Sequence, residues 1–293
     1  MLFRSFDRVF DVCNYIFLGL ILFLVMYPLY FVVIASFSDP TYVNAGETLL
    51  LPKGITMEGY QRALEYKVIW LGYRNSIIYT FIGTCINIAV LIPASFALSR
   101  QEFVGRKLVT TMCLITMYFG GGMIPTYLLI KDLGLMDTMW ALVLPGAFSV
   151  YNMIICRSFF KSNVSEELFE SVKLDGASYA RFFFSIVLPL SKAIIAVMVL
   201  YHSLGHWNSY MNIVYYIQDP GKYNLQTILR NLTQQFSAGS QELVDATYQA
   251  SAEKLAELLK YSTILLAALP MIILYPFVQK YFVGGVMIGS VKG

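Results

Sequence analysis

Glu166-Glu167-Leu168-Phe169-Glu170-Ser171-Val172-Lys173-Leu174-Asp175-Gly176-Ala177, leading on to Leu188-Pro189, is the longest strongly polar run in a chain whose other segments suit lipid. Ser165, just ahead of it, can cap a helix whose first turn carries Glu166 and Glu167, where the helix dipole favours carboxylates. Asp175-Gly176 supplies the stop, with Gly176 at φ > 0, so the pattern predicts a helix of about ten residues. At helical spacing Leu168, Phe169 and Val172 share one face, and Glu167, Glu170 and Lys173 share the other. One side is made to pack and the other to be presented, so this stretch is expected to face water and dock a partner. Ser178 restarts the chain through Phe182-Phe183-Phe184, and Pro189 fits the first turn of the next apolar segment.

Around this stretch the chain of 293 residues is 57% hydrophobic and only 13% charged, against about 25% charged in an average soluble protein. That composition places it in a membrane, and a net charge of +3 is too small to argue for nucleic acid. Cys13, Cys85, Cys113 and Cys156 all fall in apolar segments without a CxxC pair, which excludes an evident disulfide or metal framework. The first apolar run is too long for a signal peptide and lacks a small-residue cleavage site, so it is expected to stay as a span.

Six spans are expected, at about 13–37, 75–98, 108–130, 139–160, 190–216 and 261–278, each near the length needed to cross a bilayer. Pro28 is expected to kink the first. Between the first two lies a mixed segment with Asp39-Pro40, Pro52-Lys53-Gly54 and a short helix near residues 57–66. The third span is interrupted by Gly120-Gly121-Gly122 and Pro125, expected near the outer surface. That glycine run lacks the Lys-Ser/Thr and preceding strand of a phosphate-binding loop. His202 and His206 stand at i, i+4 as zinc ligands can, but with no third ligand in view, so both are expected to face the bundle or its cavity. A polar segment with amphipathic helix near residues 253–260 precedes the last span. Arg100, Arg106 and Lys107 in one short loop, with Arg157, Lys161, Lys173, Arg181 and Lys192 around the docking stretch, put both termini and that stretch in the cytoplasm by the positive-inside rule.

The spacing Glu170-x4-Asp175-Gly176-Ala177-x8-Ile186-x-Leu188-Pro189 resembles the EAA loop of the permease subunits of binding-protein-dependent ABC importers. Ser171 and Val172 stand where that family usually has two alanines. Asn75-Ser76, Ala97-Leu98-Ser99-Arg100, Ile124-Pro125, Trp207-Asn208 and the closing 284–293 extend the likeness to MalG-type carbohydrate permeases. Tyr275-Pro276-Phe277 with residues 280–287 is similar to the LplC/YtcP-like branch, associated with uptake of oligosaccharides or polysaccharide fragments.

The resemblance implies an all-α integral membrane protein of the type I ABC importer permease fold, with six transmembrane helices and a cytoplasmic EAA coupling loop. The implied organisation is an N-terminal segment, first span and extracytoplasmic segment at 1–74, a permease core at 75–278 with the coupling loop at 163–189, and a cytoplasmic tail at 279–293. The implied location is the bacterial cytoplasmic membrane. The implied partners are a second homologous permease, two ATPase subunits holding ATP and Mg, an extracytoplasmic sugar-binding lipoprotein, the oligosaccharide itself and membrane lipid. Glu166, Glu167, Glu170, Asp175, Gly176, Ala177, Leu188 and Pro189 become the ATPase-coupling residues, and Gly284, Gly289 and Lys292 tail contacts to the ATPase.

Tyr118, Tyr151, Asn152, Trp207 and Asn208 combine aromatic faces with amides, the mixture that sugar rings and hydroxyls need, and are the candidate substrate path. Trp207 could instead anchor its helix at the membrane interface. No Walker A stretch and no paired-carboxylate or Ser/His/Asp set accompanies them, so the chain is expected to be a conduit without catalytic residues, metal or cofactor of its own. The alternatives are a membrane-embedded metal-dependent enzyme using His202 and His206, or a secondary transporter, which would call for intramembrane carboxylates or repeat symmetry.

Overall fold

The computed structural model describes residues 2–238 and 246–289, with side chains described for 10–232, 234 and 258–280. Every regular element among them is helical. In chain order they are α1 (Leu2–Ser36), α2 (Pro40–Asn44), α3 (Glu58–Glu65), α4 (Lys67–Ser99), α5 (Arg106–Tyr118), α6 (Met123–Asp132), α7 (Met139–Val143), α8 (Val150–Asn163), α9 (Glu166–Leu174) and α10 (Tyr179–Phe182). After a π-helical turn at Phe183–Val187 come α11 (Leu188–Leu190), α12 (Lys192–Trp207), α13 (Met211–Tyr216), α14 (Leu225–Ala238) and α15 (Ala246–Gly289).

Among the described residues three helices are long and apolar enough to cross a membrane: Phe10–Ser36, Lys67–Ser99 and Leu258–Lys280. Two bent pairs, Arg106–Tyr118 with Met123–Asp132 at 112° and Tyr179–Leu190 with Lys192–Trp207 at 79°, raise the number to five if each pair is one span. The first bend falls where the glycine run was expected to weaken the third span, and Gly122 takes φ +88° there. The fourth expected span, 139–160, is not one helix. It is parted around Pro145-Gly146 into α7 and α8, because proline removes a helical donor and glycine adds backbone freedom. The expected span at 190–216 is likewise shorter than its apolar run. It ends at Trp207, where the Asn208 N–H donates back to Leu204 O at 3.1 Å, and α13 begins after a break. At the other extreme α15 runs on through Gly289, so the expected tail 279–293 begins inside a helix.

The chain divides into two compact units. The first comprises Met1–Ile69 and Leu229–Leu269. Within it Tyr60 donates to Ser36 Oγ at 2.7 Å and stacks near Phe37, while Ile34, Ala35, Ala63, Leu258 and Leu259 are buried. α1 leaves its large apolar side chains exposed from Phe10 to Val25, as a lipid-facing helix would.

The second unit, Trp70–Ile228 and Pro270–Gly293, has two apolar clusters. One gathers Leu91, Phe96, Met153, Phe160, Val164, Phe169, Phe182 and Met198 beneath α9. The other gathers Ile130, Leu142, Ile213 and Tyr216. Beside the second cluster Asp137 ties two loops together. Its Oδ1 accepts from the N–H groups of Gln218 and Asp219, and Lys222 Nζ reaches its Oδ2 at 2.5 Å and its carbonyl at 2.8 Å. Asn75 Nδ2 holds the same loop by donating to the carbonyls of Gly221 and Tyr223, both at 2.9 Å.

Candidate functional site

α9 begins and ends by local chemistry. Ser165 Oγ accepts from Leu168 N–H at 3.2 Å, satisfying one free donor of the first turn where Glu166 and Glu167 sit. At the other end the Gly176 N–H donates to Lys173 O at 3.0 Å and the Ala177 N–H to Val172 O at 3.2 Å. This paired closure is the Schellman arrangement, and it requires the left-handed backbone that Gly176 adopts at φ +76°. The expected helix is thus present with its expected caps, nine residues long.

Its two faces differ as the spacing demanded. Phe169 is 2% exposed, with its ring 5.2 Å from Phe182 and 4.7 Å from Tyr179. Leu168 and Val172 pack on the same cluster. Phe182 in turn stacks 6.1 Å from Phe96 of α4, so an unbroken line of rings runs from the helix underside into the longest helix of this unit. Glu167, Glu170, Lys173 and Asp175 stay exposed, Glu166 is half-buried, and Gly176 stands clear of any neighbour within 4 Å. Farther along, Ala177 and Leu188 are half-buried and Pro189 is exposed. Leu174, which the pattern analysis passed over, is 89% exposed at the end of the presented face. A bare leucine beside charged groups suits a protein partner better than water, and its offset from the apolar stripe was the available signal.

The five path candidates do not share one environment. Tyr118 is 75% exposed beside the glycine break, and Tyr151 and Asn208 are also exposed. Trp207 is 2% exposed, its ring 6.3 Å from that of Tyr73. It borders a cavity of about 570 Å3 shared with Phe81, Ile88, Val199 and Leu274, whose walls are nearly all apolar. Asn152 is half-buried, and its Nδ2 lies 3.3 Å from His202 Nε2.

That contact belongs to a polar belt which pattern reading located only in part. His206 Nε2 is 2.7 Å from Asn87 Oδ1, and Asn87 Nδ2 donates to Gly146 O at 2.6 Å. Thr84 and Ser203 hydroxyls meet at 3.3 Å one turn away. The carbonyl freed by the Pro145-Gly146 break is therefore taken up by Asn87, which explains how irregular backbone is tolerated at that point. The two histidines pair with amides, and no group of three His, Cys, Asp or Glu among the described residues could hold a metal ion. Of the tail candidates, Gly284 and Gly289 lie in α15, and Lys292 lies outside the described residues.

Comparison with known proteins agrees with this architecture. Residues 69–287 match the family described as "Binding-protein-dependent transport system inner membrane component". Protein LplC of Bacillus subtilis (strain 168) is 36% identical over 286 residues, covering 98% of this chain and 96% of that protein. The polygalacturonan/rhamnogalacturonan transport system permease protein YtcP of the same organism is 35% identical over 288 residues, covering 98% and 99%. Among solved structures, a chain from the crystal structure of a bacterial ABC transporter involved in the import of the acidic polysaccharide alginate aligns with a TM-score of 0.83 at 29% identity. That alignment covers 94% of this chain and 97% of the other.

Proposed function

The chain belongs to the family of inner-membrane components of binding-protein-dependent transport systems, and we propose that it imports an oligosaccharide or polysaccharide fragment as one of two permease subunits. As a family member it is a multi-pass, non-catalytic permease subunit of an ABC importer, with ATP hydrolysis in partner subunits. The metal-enzyme and secondary-transporter alternatives fall away with that membership.

The observation that carries the coupling assignment is α9 itself, a capped helix with Phe169 seated in the core and Glu167, Glu170, Asp175 and Leu174 presented. An ATPase subunit that grips the presented face displaces Phe169, and Phe169 bears on Phe182 and through it on Phe96. Glu166, Gly176, Ala177, Leu188 and Pro189 keep that element in shape or border it. Two ATPase subunits, holding ATP and Mg, a homologous permease and an extracytoplasmic sugar-binding lipoprotein complete the assembly. Both termini lie in the cytoplasm of this reading, and the tail at Gly284, Gly289 and Lys292 reaches the ATPase.

Support for the cargo class comes from two relatives, YtcP of a polygalacturonan/rhamnogalacturonan transport system and the transporter involved in import of the acidic polysaccharide alginate. Within this chain Tyr118, Tyr151, Asn152, Trp207 and Asn208 are assigned to the sugar path, with Asn152 the member whose surroundings suit hydroxyls best. The test is uptake by the reconstituted complex, with its binding protein, of a panel of neutral and uronate-containing oligosaccharides, in wild type and in Tyr151→Ala, Asn152→Ala and Trp207→Ala. Stimulated ATP hydrolysis with sugar entry, altered across the panel by these variants, is expected. A complex that imports no member of the panel contradicts the carbohydrate reading, and uniform wild-type kinetics removes the three residues from the path.

A further inference from the structure

Arg100 closes α4 and is 4% exposed, yet no ion pair among the described residues includes it. Its charge is met by carbonyls and a ring. Nη2 donates to Val164 O at 2.9 Å and Phe160 O at 3.4 Å, Nε donates to Ser99 Oγ at 3.3 Å, and the guanidinium lies 5.3 Å from the centroid of Phe96. Phe160 lies in the last turn of α8 and Val164 is its C-cap, the helix end where negative partial charge collects and a cation is favoured. Arg157 returns the contact, its Nε donating from α8 to Leu98 O in the last turn of α4 at 3.0 Å. Each helix end is therefore capped by an arginine belonging to the other.

We propose that Arg100 and Arg157 form a crossed brace that carries the displacement of the docking helix into α4, which makes them positioning residues for coupling ATP hydrolysis to import. The inference rests on the permease reading above and names residues that reading does not use. Val164 immediately precedes the Ser165 cap of α9, so the brace grips the chain at the root of the docking helix. A shift of that root relative to α4 must stretch charge-assisted bonds in a water-poor setting, where they are strong. Beside the brace, Phe96, Ala97, Arg100, Phe103, Tyr179 and Phe183 line a cavity of about 410 Å3, and Glu102, which also borders it, makes no ion pair with Arg100.

Bridging two carbonyls while stacking on a ring uses the planar guanidinium of arginine, which a lysine ammonium does not reproduce.

The experiment uses the whole reconstituted transporter and measures both sugar uptake and ATP hydrolysis for Arg100→Lys, Arg157→Lys and the double variant. The brace predicts assembly in normal yield, near-normal basal hydrolysis, and sugar moved per ATP lower by about tenfold in each single variant. Because the two arginines act as one device, the double variant should be little worse than either single. Uptake per ATP at the wild-type level, uptake falling only in step with hydrolysis, or losses that multiply in the double variant would overturn the proposal. Should Arg100→Lys fail to assemble, Arg157→Lys, whose residue is half-buried and exchanges one bond for one, decides alone. A wild-type complex that transports no sugar would instead sink the permease reading, so the two failures are distinguishable.

Discussion

His206 Nε2 lies 2.7 Å from Asn87 Oδ1, joining α12 to α4 across 119 residues of sequence. The approach is possible because position 83 carries no side chain. A Cβ built on Gly83 would stand 2.5 Å from the same His206 nitrogen, so any larger residue drives the ring off Asn87.

Gly83→Ala should therefore destabilise the subunit, since leaving a buried amide unpaired costs about 1–3 kcal/mol. Gly205→Ala is the matched control, with nothing within 4 Å of its added methyl and a helical position that favours alanine. Thermal unfolding of the detergent-solubilised complex should show Gly83→Ala melting lower than wild type and Gly205→Ala no lower. Equal melting of all three would mean that the His206–Asn87 contact carries no stability.

The Asp137 brace gives a pH-dependent prediction. The Lys222 hydrogen bond, helped by the N–H groups of Asp219 and Gln218, holds this carboxyl below its ordinary value of 3.8. A depressed carboxylate contributes stability above its unfolded pKa and loses it as pH falls through the folded one. Asp137→Asn should thus lower the melting temperature by a few degrees at most, equally at pH 7 and pH 5, because the group is only half-buried and solvent screens it. A difference that already vanishes at pH 5 would contradict the assignment.

Side of exposure is tested by single cysteines in a cysteine-free background. Ser162, before the docking helix, and Gln218, in the loop held by Asp137, are both exposed. An impermeant thiol reagent applied to intact cells should label Gln218→Cys and spare Ser162→Cys. Labelling of both from one side would break the proposed topology.

What pattern reading could recover was local. Ser165 and Gly176 act on donors and carbonyls within a few residues of themselves, so the start, stop and two faces of α9 were legible from the chain alone. Long-range pairings were not. Asn87 reads as one polar residue in an apolar run, and nothing near it in sequence points to Gly146 or His206. Arg100 and Arg157 were legible as charges marking a side of the membrane, whereas their crossed hydrogen bonds depend on how α4 and α8 come together. Hydrophobicity also overran helix ends. The apolar run after Trp207 hides the Asn208 stop, and the glycines after Lys280 suggested a separate tail where α15 in fact continues.

The central claim is that α9 couples this subunit to an ATPase, and Glu170 with Gly176 tests it most directly. Glu170→Ala removes a presented carboxylate without a backbone penalty, whereas Gly176→Val forces a branched side chain into φ +76° and should distort the closing turn. Sugar-stimulated ATP hydrolysis and uptake should be measured together in complexes of verified subunit content. The account predicts that both variants lose transport, Gly176→Val more severely, with stimulation by sugar falling alongside. Wild-type uptake and wild-type stimulation in fully assembled complexes of both variants would contradict it.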